Sequence, residues 1–173
     1  MASIHAPTRH LLLMRHAKSD WGDPALGDHD RPLNARGLRT APRMGQHIES
    51  MQIPIDHILC STACRAQQTL RLMQNVWQQL WPEVTYTTNL YLASPSGIVG
   101  ELSRLSDQFS GAMMIGHNPG ISELACWLAQ ENIEMPTAAL VVLSGAGSTW
   151  AGALERSPWR LEGLYFPKKL GFS

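Results

Sequence analysis

Two arginines and two histidines, Arg15, His16, Arg65 and His117, lie shortly after short apolar runs of the sequence. Such runs are typical of buried strands, and ligands of open α/β sheets bind at the edge where the strands end. The planar fork of arginine binds two phosphate oxygens at once. A neutral imidazole can act as a nucleophile and form a covalent phospho-enzyme. These four side chains therefore predict a site for phosphoryl transfer, a chemistry in which no metal is then required.

Other phosphate chemistries lack their usual signatures. The sequence contains neither GxxxxGK[ST] nor GxGxxG, and no acidic cluster that would hold magnesium follows the apolar runs. Cys60 stands one residue too close to Arg65 for a cysteine phosphatase. The three cysteines, Cys60, Cys64 and Cys126, have no CxxC spacing, which argues against a zinc site or a disulfide framework. We therefore expect no metal and no cofactor.

Composition predicts one ordinary globular domain over residues 1–173. The chain has 173 residues, 44% of them hydrophobic, and a formal net charge of zero, so no overall field favours nucleic acid. No apolar run approaches the ~18 residues of a membrane span. The first ten residues lack the apolar stretch of a signal peptide, so we expect a cytoplasmic protein that contacts neither nucleic acid nor membrane. The oligomeric state stays open.

Apolar runs and turn residues alternate along the chain and predict an α/β fold. The predicted strands are Leu11–Met14, Ile55–Cys60, Val84–Thr87, Gly111–Ile115, Thr137–Leu143, Thr149–Leu154 and Arg160–Phe166. Four helices are predicted: from Asn34 to Met51 with a kink or late start at Pro42, from Ser61 or Thr62 to Leu80, from Ser94 or Ser96 to Asp107, and from Asn118 to Gln130. This order indicates a three-layer domain, with a mostly parallel central sheet, helices on both faces and an antiparallel edge.

Charged residues crowd the first quarter of the chain. Cations and carboxylates alternate there: Arg15, Lys18, Arg31, Arg36, Arg39 and Arg43 with Asp20, Asp23, Asp28 and Asp30. Apart from Arg15, we interpret them as a solvated loop and helix face of mixed charge.

Three segments resemble the motifs of the histidine phosphatase superfamily, which includes cofactor-dependent phosphoglycerate mutases. They are LLMRHAKSDW at 12–21, STACRAQQT at 61–69 and IGHNPG at 115–120. The segment DRPLNARG at 30–37 and the small size of the chain resemble the branch of SixA-type phosphohistidine phosphatases. The resemblance extends from about Leu11 to Gly120, and three ordered motifs make it specific.

The resemblance implies a role for each matching residue. His16 would be the nucleophile, and Arg15 and Arg65 would clamp the phosphoryl oxygens. His117 would donate a hydrogen bond to the phosphoryl group and stabilise its charge in the transition state.

Ser19 and Asn118 complete the expected substrate-binding set. Ser19 stands where the family often has a threonine near the phosphate, whereas Gly22 stands where many members have an asparagine ligand. Asn118 stands where phytase-like members have an aspartate, and segment 89–94 has no carboxylate where mutase-like members have a glutamate. Both usual proton donors are therefore absent, although three other carboxylates could fold into the site: Asp20, Asp23 and Glu123.

A missing acid fits a phosphoramidate substrate better than a phosphomonoester. An alkoxide leaving group needs a proton, whereas an imidazole has an ordinary pKa of about 6.5 and is protonated before its bond to phosphorus breaks. Segment 81–97 is too short for a large lid, and an open site suits a protein side chain. We expect a metal-independent phosphatase acting on phosphohistidine in proteins. The alternatives are a phosphatase of small phosphorylated molecules on the same scaffold and a catalytically weak phosphate-binding adaptor.

Overall fold

A six-stranded mixed sheet forms the centre of the molecule. The computed structural model describes residues 6–156 and 158–172. The strands are β1 (Thr8–Arg15), β2 (His57–Ser61), β3 (Glu83–Thr87), β4 (Gly111–Gly116), β5 (Leu140–Ala146) and β6 (Arg160–Tyr165), in the order β3-β2-β4-β1-β5-β6. The first four are parallel to one another, and β5 pairs antiparallel with both β1 and β6. This arrangement confirms the mostly parallel sheet with an antiparallel edge.

Helices cover both faces of this sheet. They are α1 (Ala35–Ser50), α2 (Cys64–Gln74), α3 (Pro95–Leu102), α4 (Gly120–Ala129) and α5 (Trp150–Glu155). Alternate side chains of a strand point to opposite faces. Leu11 and Leu13 pack in one core with α3, α4 and α5, whereas Leu12 and Met14 pack in the other with α1 and α2. The three-layer prediction is therefore confirmed.

The strand predicted at Thr149–Leu154 is wrong, because this segment forms helix α5. The Thr149 hydroxyl caps the helix by accepting from the Gly152 N–H at 3.0 Å. Trp150 and Ala153 are three residues apart and both buried, which is the helical period rather than the alternation of a strand.

Helix α2 is shorter than predicted. It begins at Cys64, and neither Ser61, the last residue of β2, nor Thr62 caps it. It ends at Gln74, because the chain then turns and the Glu49 carboxylate accepts from two backbone N–H groups of segment 78–79 at 2.7 and 2.8 Å. Leu80, the predicted last residue of this helix, is 95% exposed.

The remaining helix predictions are confirmed in part. Asn34 caps α1, and this helix passes through Pro42 without a late start. Ser94 rather than Ser96 caps α3, which ends at Leu102 instead of Asp107. Asn118 does not cap α4, since the side-chain capping bond is absent there. Among the helices within residues 6–156 and 158–172, none is long and apolar enough to cross a membrane.

Candidate active site

The strand ends bring the two predicted histidines together. Strands β1 and β4 are parallel neighbours whose last residues, Arg15 and Gly116, are paired in register. His16 and His117 follow them directly, so both arrive at the same edge of the sheet. The centres of the two imidazole rings are 5.0 Å apart.

The segment just before β5 holds the backbone that carries these side chains. The Arg15 N–H donates to the Ala139 carbonyl at 2.9 Å, and the His16 carbonyl accepts from the Ala138 N–H at 3.0 Å. The His16 N–H donates to the Gly116 carbonyl at 3.1 Å. The backbone of the first motif is therefore held from both neighbouring strands.

One nitrogen of His16 is unprotonated. Its Nδ1 lies 2.7 Å from the Ala17 carbonyl, and a carbonyl only accepts, so Nδ1 carries the hydrogen. Nε2 is then the unprotonated nitrogen, and it accepts from the Arg65 Nε–H at 3.2 Å. Burial, with a smaller effect of neighbouring arginines, lowers the pKa of His16 to about 4. The ring is therefore neutral at neutral pH, which is the nucleophilic form.

His117 is also a buried neutral ring. The Arg65 Nη2 only donates, so the His117 Nδ1, at 3.3 Å, accepts. Nε2 then donates to the Ser61 hydroxyl at 2.8 Å. Burial lowers the pKa of His117 to about 3, and the nearby His16 and Arg65 act in the same direction.

Arg65 lies beside both rings because it is the second residue of α2, directly after the turn that follows β2. The Thr69 hydroxyl donates to the Arg65 carbonyl at 2.7 Å and accepts from the Ala17 N–H at 3.0 Å. One threonine thus joins the start of α2 to the loop after His16, and the buried guanidinium is held against the imidazole.

Asp28 is an unpredicted member of the site and joins two guanidinium groups. Its Oδ2 accepts from Arg65 Nη2 at 3.0 Å and from the Tyr91 hydroxyl at 2.7 Å. Its Oδ1 accepts from Arg31 Nη2 at 2.7 Å and Nε at 3.1 Å. Hydrogen bonds, first from Tyr91 and then from Arg31, hold the pKa of the Asp28 carboxyl well below its usual range. This carboxylate stays ionised and therefore has no proton to donate.

Arg15 reaches the same place from β1. Its Nη1 donates to the Met135 carbonyl at 3.0 Å, while the buried Nε has no hydrogen-bond partner within the described part of the chain. A buried donor without an acceptor is unfavourable, so an anion bound beside it would satisfy this group. Burial and the nearby Arg65 lower the pKa of Arg15 from its ordinary value.

Ser19 and Asn118 lie at the rim with their polar groups already engaged. The Ser19 hydroxyl accepts from Arg31 Nη1 at 2.9 Å. The Asn118 side chain donates to the Met135 carbonyl at 3.0 Å and accepts from the Ser122 hydroxyl at 2.5 Å.

All six predicted site residues line one cavity of about 260 Å³, which we call the anion pocket. Its lining is Arg15, His16, Lys18, Ser19, Trp21, Asp28, Arg31, Arg65, Leu92, His117, Asn118 and Thr137. Four cations therefore surround one carboxylate, which favours an anionic ligand. Asp20 and Asp23 instead accept from backbone N–H groups of their own loop, and neither they nor Glu123 line the pocket. Within the described residues, no group of three His, Cys, Asp or Glu side chains is placed to hold a metal.

The interpretation of Arg31 as a solvated surface charge is wrong, because its side chain is buried. Asp28 is exposed as expected, but it also lines the anion pocket. Arg31 lies in the segment quoted above for the SixA-type branch, and that was the one sequence signal for it. Asp28 carries no such signal, because its contact with Arg65 spans 37 residues of sequence.

Sequence comparison identifies the family to which this chain is related. A sequence model described as histidine phosphatase superfamily, branch 1, matches residues 11–90. An uncharacterized protein of Mycobacterium tuberculosis is 36% identical over 166 residues, which is 90% of this chain and 100% of the relative. The chain belongs to the histidine phosphatase superfamily.

Two solved structures with related sequences share the fold of this histidine phosphatase. One is designated a candidate phosphohistidine phosphatase SixA from Nakamurella multipartitia; it is 28% identical, has a TM-score of 0.82, and the match covers 94% of this chain and 98% of that chain. Another with the same designation, from Agrobacterium tumefaciens, is 26% identical with a TM-score of 0.77 over 93% and 99% of the two chains. This histidine phosphatase therefore falls in the SixA-type branch, which supports phosphatase activity on a phosphorylated substrate.

Proposed function

We propose that this histidine phosphatase removes the phosphoryl group from phosphohistidine side chains of proteins, through a covalent phospho-His16 intermediate. The observation that carries the proposal is the neutral His16 ring, whose Nε2 lone pair lies among four cations and beside a carboxylate that cannot act as an acid.

The first step transfers the phosphoryl group to the enzyme. The His16 Nε2 forms a bond to phosphorus while the bond between phosphorus and the substrate nitrogen breaks, and that nitrogen keeps the electron pair. Arg15 and Arg65 neutralise the phosphoryl oxygens, since both line the anion pocket. The buried Nε of Arg15 gains the acceptor that it lacks.

His117 supports this step through a change of tautomer. A serine hydroxyl either accepts or donates, so Ser61 can stabilise either tautomer of the His117 ring. When a phosphoryl group takes up the donors of Arg65, Nε2 loses its proton to solvent and Nδ1 takes one up from solvent. The Ser61 hydroxyl then donates to Nε2, and Nδ1–H donates to a phosphoryl oxygen. The hydrogen bond to the anion then forms without protonation of the buried ring.

The leaving group decides the substrate class. Asp28 is the one carboxylate in the lining of the anion pocket, and it is held ionised. An alkoxide would leave without a proton from this site, whereas a histidine side chain is protonated near neutral pH before it leaves. The pocket therefore favours cleavage of a bond between phosphorus and nitrogen.

Hydrolysis of the intermediate completes the cycle. Water attacks the phosphorus of phospho-His16, the P–N bond breaks, and the electron pair returns to Nε2. The water proton passes to the released phosphate or to solvent. His16 regains its neutral form because its Nδ1–H stays bonded to the Ala17 carbonyl.

The surroundings of the pocket leave room for a protein substrate. A wider cleft of about 770 Å³ adjoins the anion pocket at Arg15 and Asn118 and continues along segment 132–136 to Leu164 and Phe166. A small phosphorylated molecule would leave most of this cleft empty, whereas the chain on either side of a phosphorylated histidine would occupy it.

The test compares the two bond types on one enzyme. We expect kcat/KM for a phosphohistidine peptide to exceed that for sugar phosphates by about a hundredfold or more, because only the ester needs an acid. His16→Ala abolishes both activities and the trapped phospho-enzyme. His47→Ala, which removes a histidine of α1 outside the pocket, retains them. Faster hydrolysis of sugar phosphates would show that the substrate is a phosphomonoester, and an active His16→Ala variant would refute the covalent route.

A further inference from the structure

Two large apolar side chains stand exposed at the mouth of the anion pocket. Trp21 is 71% exposed and Leu92 is 54% exposed, and both belong to the pocket lining. Single exposed apolar residues are ordinary, but a tryptophan and a leucine at the same pocket mouth form a surface suited to a ligand. Neither residue takes part in the phosphoryl chemistry described above.

The Trp21 ring is held in place from one side. The guanidinium carbon of Arg31 lies 3.4 Å from the centre of the ring, so this face of the indole is covered by a cation. Arg31 is itself fixed by Asp28, by the Ser19 hydroxyl at 2.9 Å and by the Asp20 carbonyl at 3.0 Å. An aromatic ring supported in this way loses little freedom when a ligand contacts its other face.

Leu92 has an uncommon backbone conformation, which fixes the direction of its side chain. Its φ is 48°, in the left-handed region that a leucine rarely adopts. The preceding residue, Tyr91, donates its hydroxyl to Asp28 and so ties this turn to the floor of the pocket. Backbone conformations of this kind persist where the surrounding structure imposes them, often at ligand sites.

We propose that the open face of Trp21, together with Leu92, binds a flat heteroaromatic ring that carries the phosphoryl group. The proposal rests on the proposed function, in which that ring is the imidazole of phosphohistidine. The ring of phosphohistidine is a cation when its other nitrogen is protonated, and it leaves as a neutral imidazole when the bond to phosphorus breaks. An indole face stabilises a cation and therefore favours this protonated form of the substrate. Trp21 thus favours the leaving group that needs no acid, and it acts as a specificity-determining residue.

The test uses two substrates that share the P–N bond and differ in the ring, phosphoimidazole and phosphoramidate. Trp21→Ala lowers the ratio of their kcat/KM values about tenfold, and Trp21→Phe restores most of it, because phenylalanine keeps an aromatic face. If the variant displaces Arg31, the kcat/KM values of both substrates change equally, because both carry the same phosphoryl group. Their ratio therefore reports only on the ring. Trp127→Ala, which removes another partly exposed tryptophan that lines neither the pocket nor the cleft, leaves the ratio unchanged.

An equal loss on both substrates, or no loss on either, would overturn the inference. A second pair, phenyl phosphate and glycerol phosphate, separates it from the proposed function. Should the wild type prefer esters, the phosphohistidine assignment fails, while a selective loss on phenyl phosphate in Trp21→Ala still supports the ring site. Absence of a selective loss in both pairs refutes the ring site alone.

Discussion

Acidification should destabilise this protein because two histidines are buried as neutral rings. The pKa values of His16 and His117 are lowered to about 4 and about 3 in the folded chain. In the unfolded chain both return to about 6.5. Between these values the unfolded chain binds protons that the folded chain does not, so the free energy of unfolding is highest above pH 6.5 and falls as the pH drops below it.

The size of the loss follows from these pKa values. A pH of about 5 lies about 1.5 units below the pKa of an unfolded histidine, and each unit is worth 1.36 kcal/mol. Each ring therefore lowers the free energy of unfolding by about 2 kcal/mol at this pH. His16 is 6% and His117 is 3% exposed, so solvent screening hardly reduces this amount. The two together remove about 4 kcal/mol between about pH 7.5 and 5, a large part of the ~5–15 kcal/mol that stabilises a typical domain.

The assay is urea unfolding near each of these two pH values, in a buffer free of phosphate, which would bind the folded chain. The wild type is compared with the His16→Gln, His117→Gln double variant, and each single variant should lose about half of the pH dependence. His47, whose pKa burial also lowers, is present in every protein and cancels in the difference. If the double variant lost stability as steeply as the wild type, the two rings would not be the groups that titrate.

Three further substitutions test the site and the packing around it. Ser61→Ala should lower kcat about tenfold, the effect of losing one buried hydrogen bond of ~1.4 kcal/mol. It should also lower the free energy of unfolding by about 1–3 kcal/mol, because the buried His117 Nε2–H loses its acceptor. Steady-state kinetics and urea unfolding measure the two effects, and an unchanged kcat would contradict the role given to the Ser61–His117 pair. Gly120→Ala should destabilise the protein by about 3 kcal/mol or more, because its methyl group would lie 1.9 Å from the Ala93 carbonyl oxygen. Gly100→Ala in α3 meets nothing within 4 Å and should stabilise the protein by up to about 1 kcal/mol. Thermal unfolding measures both variants, and equal effects would contradict this packing.

The convergence of Arg15, His16, Arg65 and His117 is predictable from sequence for a physical reason. Each lies at the end of a buried strand or shortly after it, and parallel strands present their carboxyl ends at one edge. The local sequence pattern is therefore sufficient to predict that these four residues converge. The neutral state of both imidazoles does not follow from the pattern, since it depends on burial and on which atom accepts from each ring.

The errors have a common cause in contacts between distant parts of the chain. Asp28 lies in a polar loop, and its bonds to Arg65 and Tyr91, which are distant in sequence, join it to the pocket. Helix α2 stops short of Leu80 because Glu49, on another helix, takes the backbone donors that follow it. Neither partner is visible in a window of neighbouring residues, so period and propensity could not reveal them.

The bonds from segment 135–139, just before β5, to the first motif show that the site depends on the C-terminal quarter of the chain. All three signature segments end by Gly120, and the family match itself covers only residues 11–90. Yet Ala138 and Ala139 anchor the backbone on either side of the reactive imidazole, and Met135 receives the side chain of Arg15. A fragment that kept every signature but stopped at residue 130 would contain all the catalytic residues and still lack an assembled site. The last quarter of the chain contributes no catalytic side chain, yet it positions those that the rest of the chain contributes.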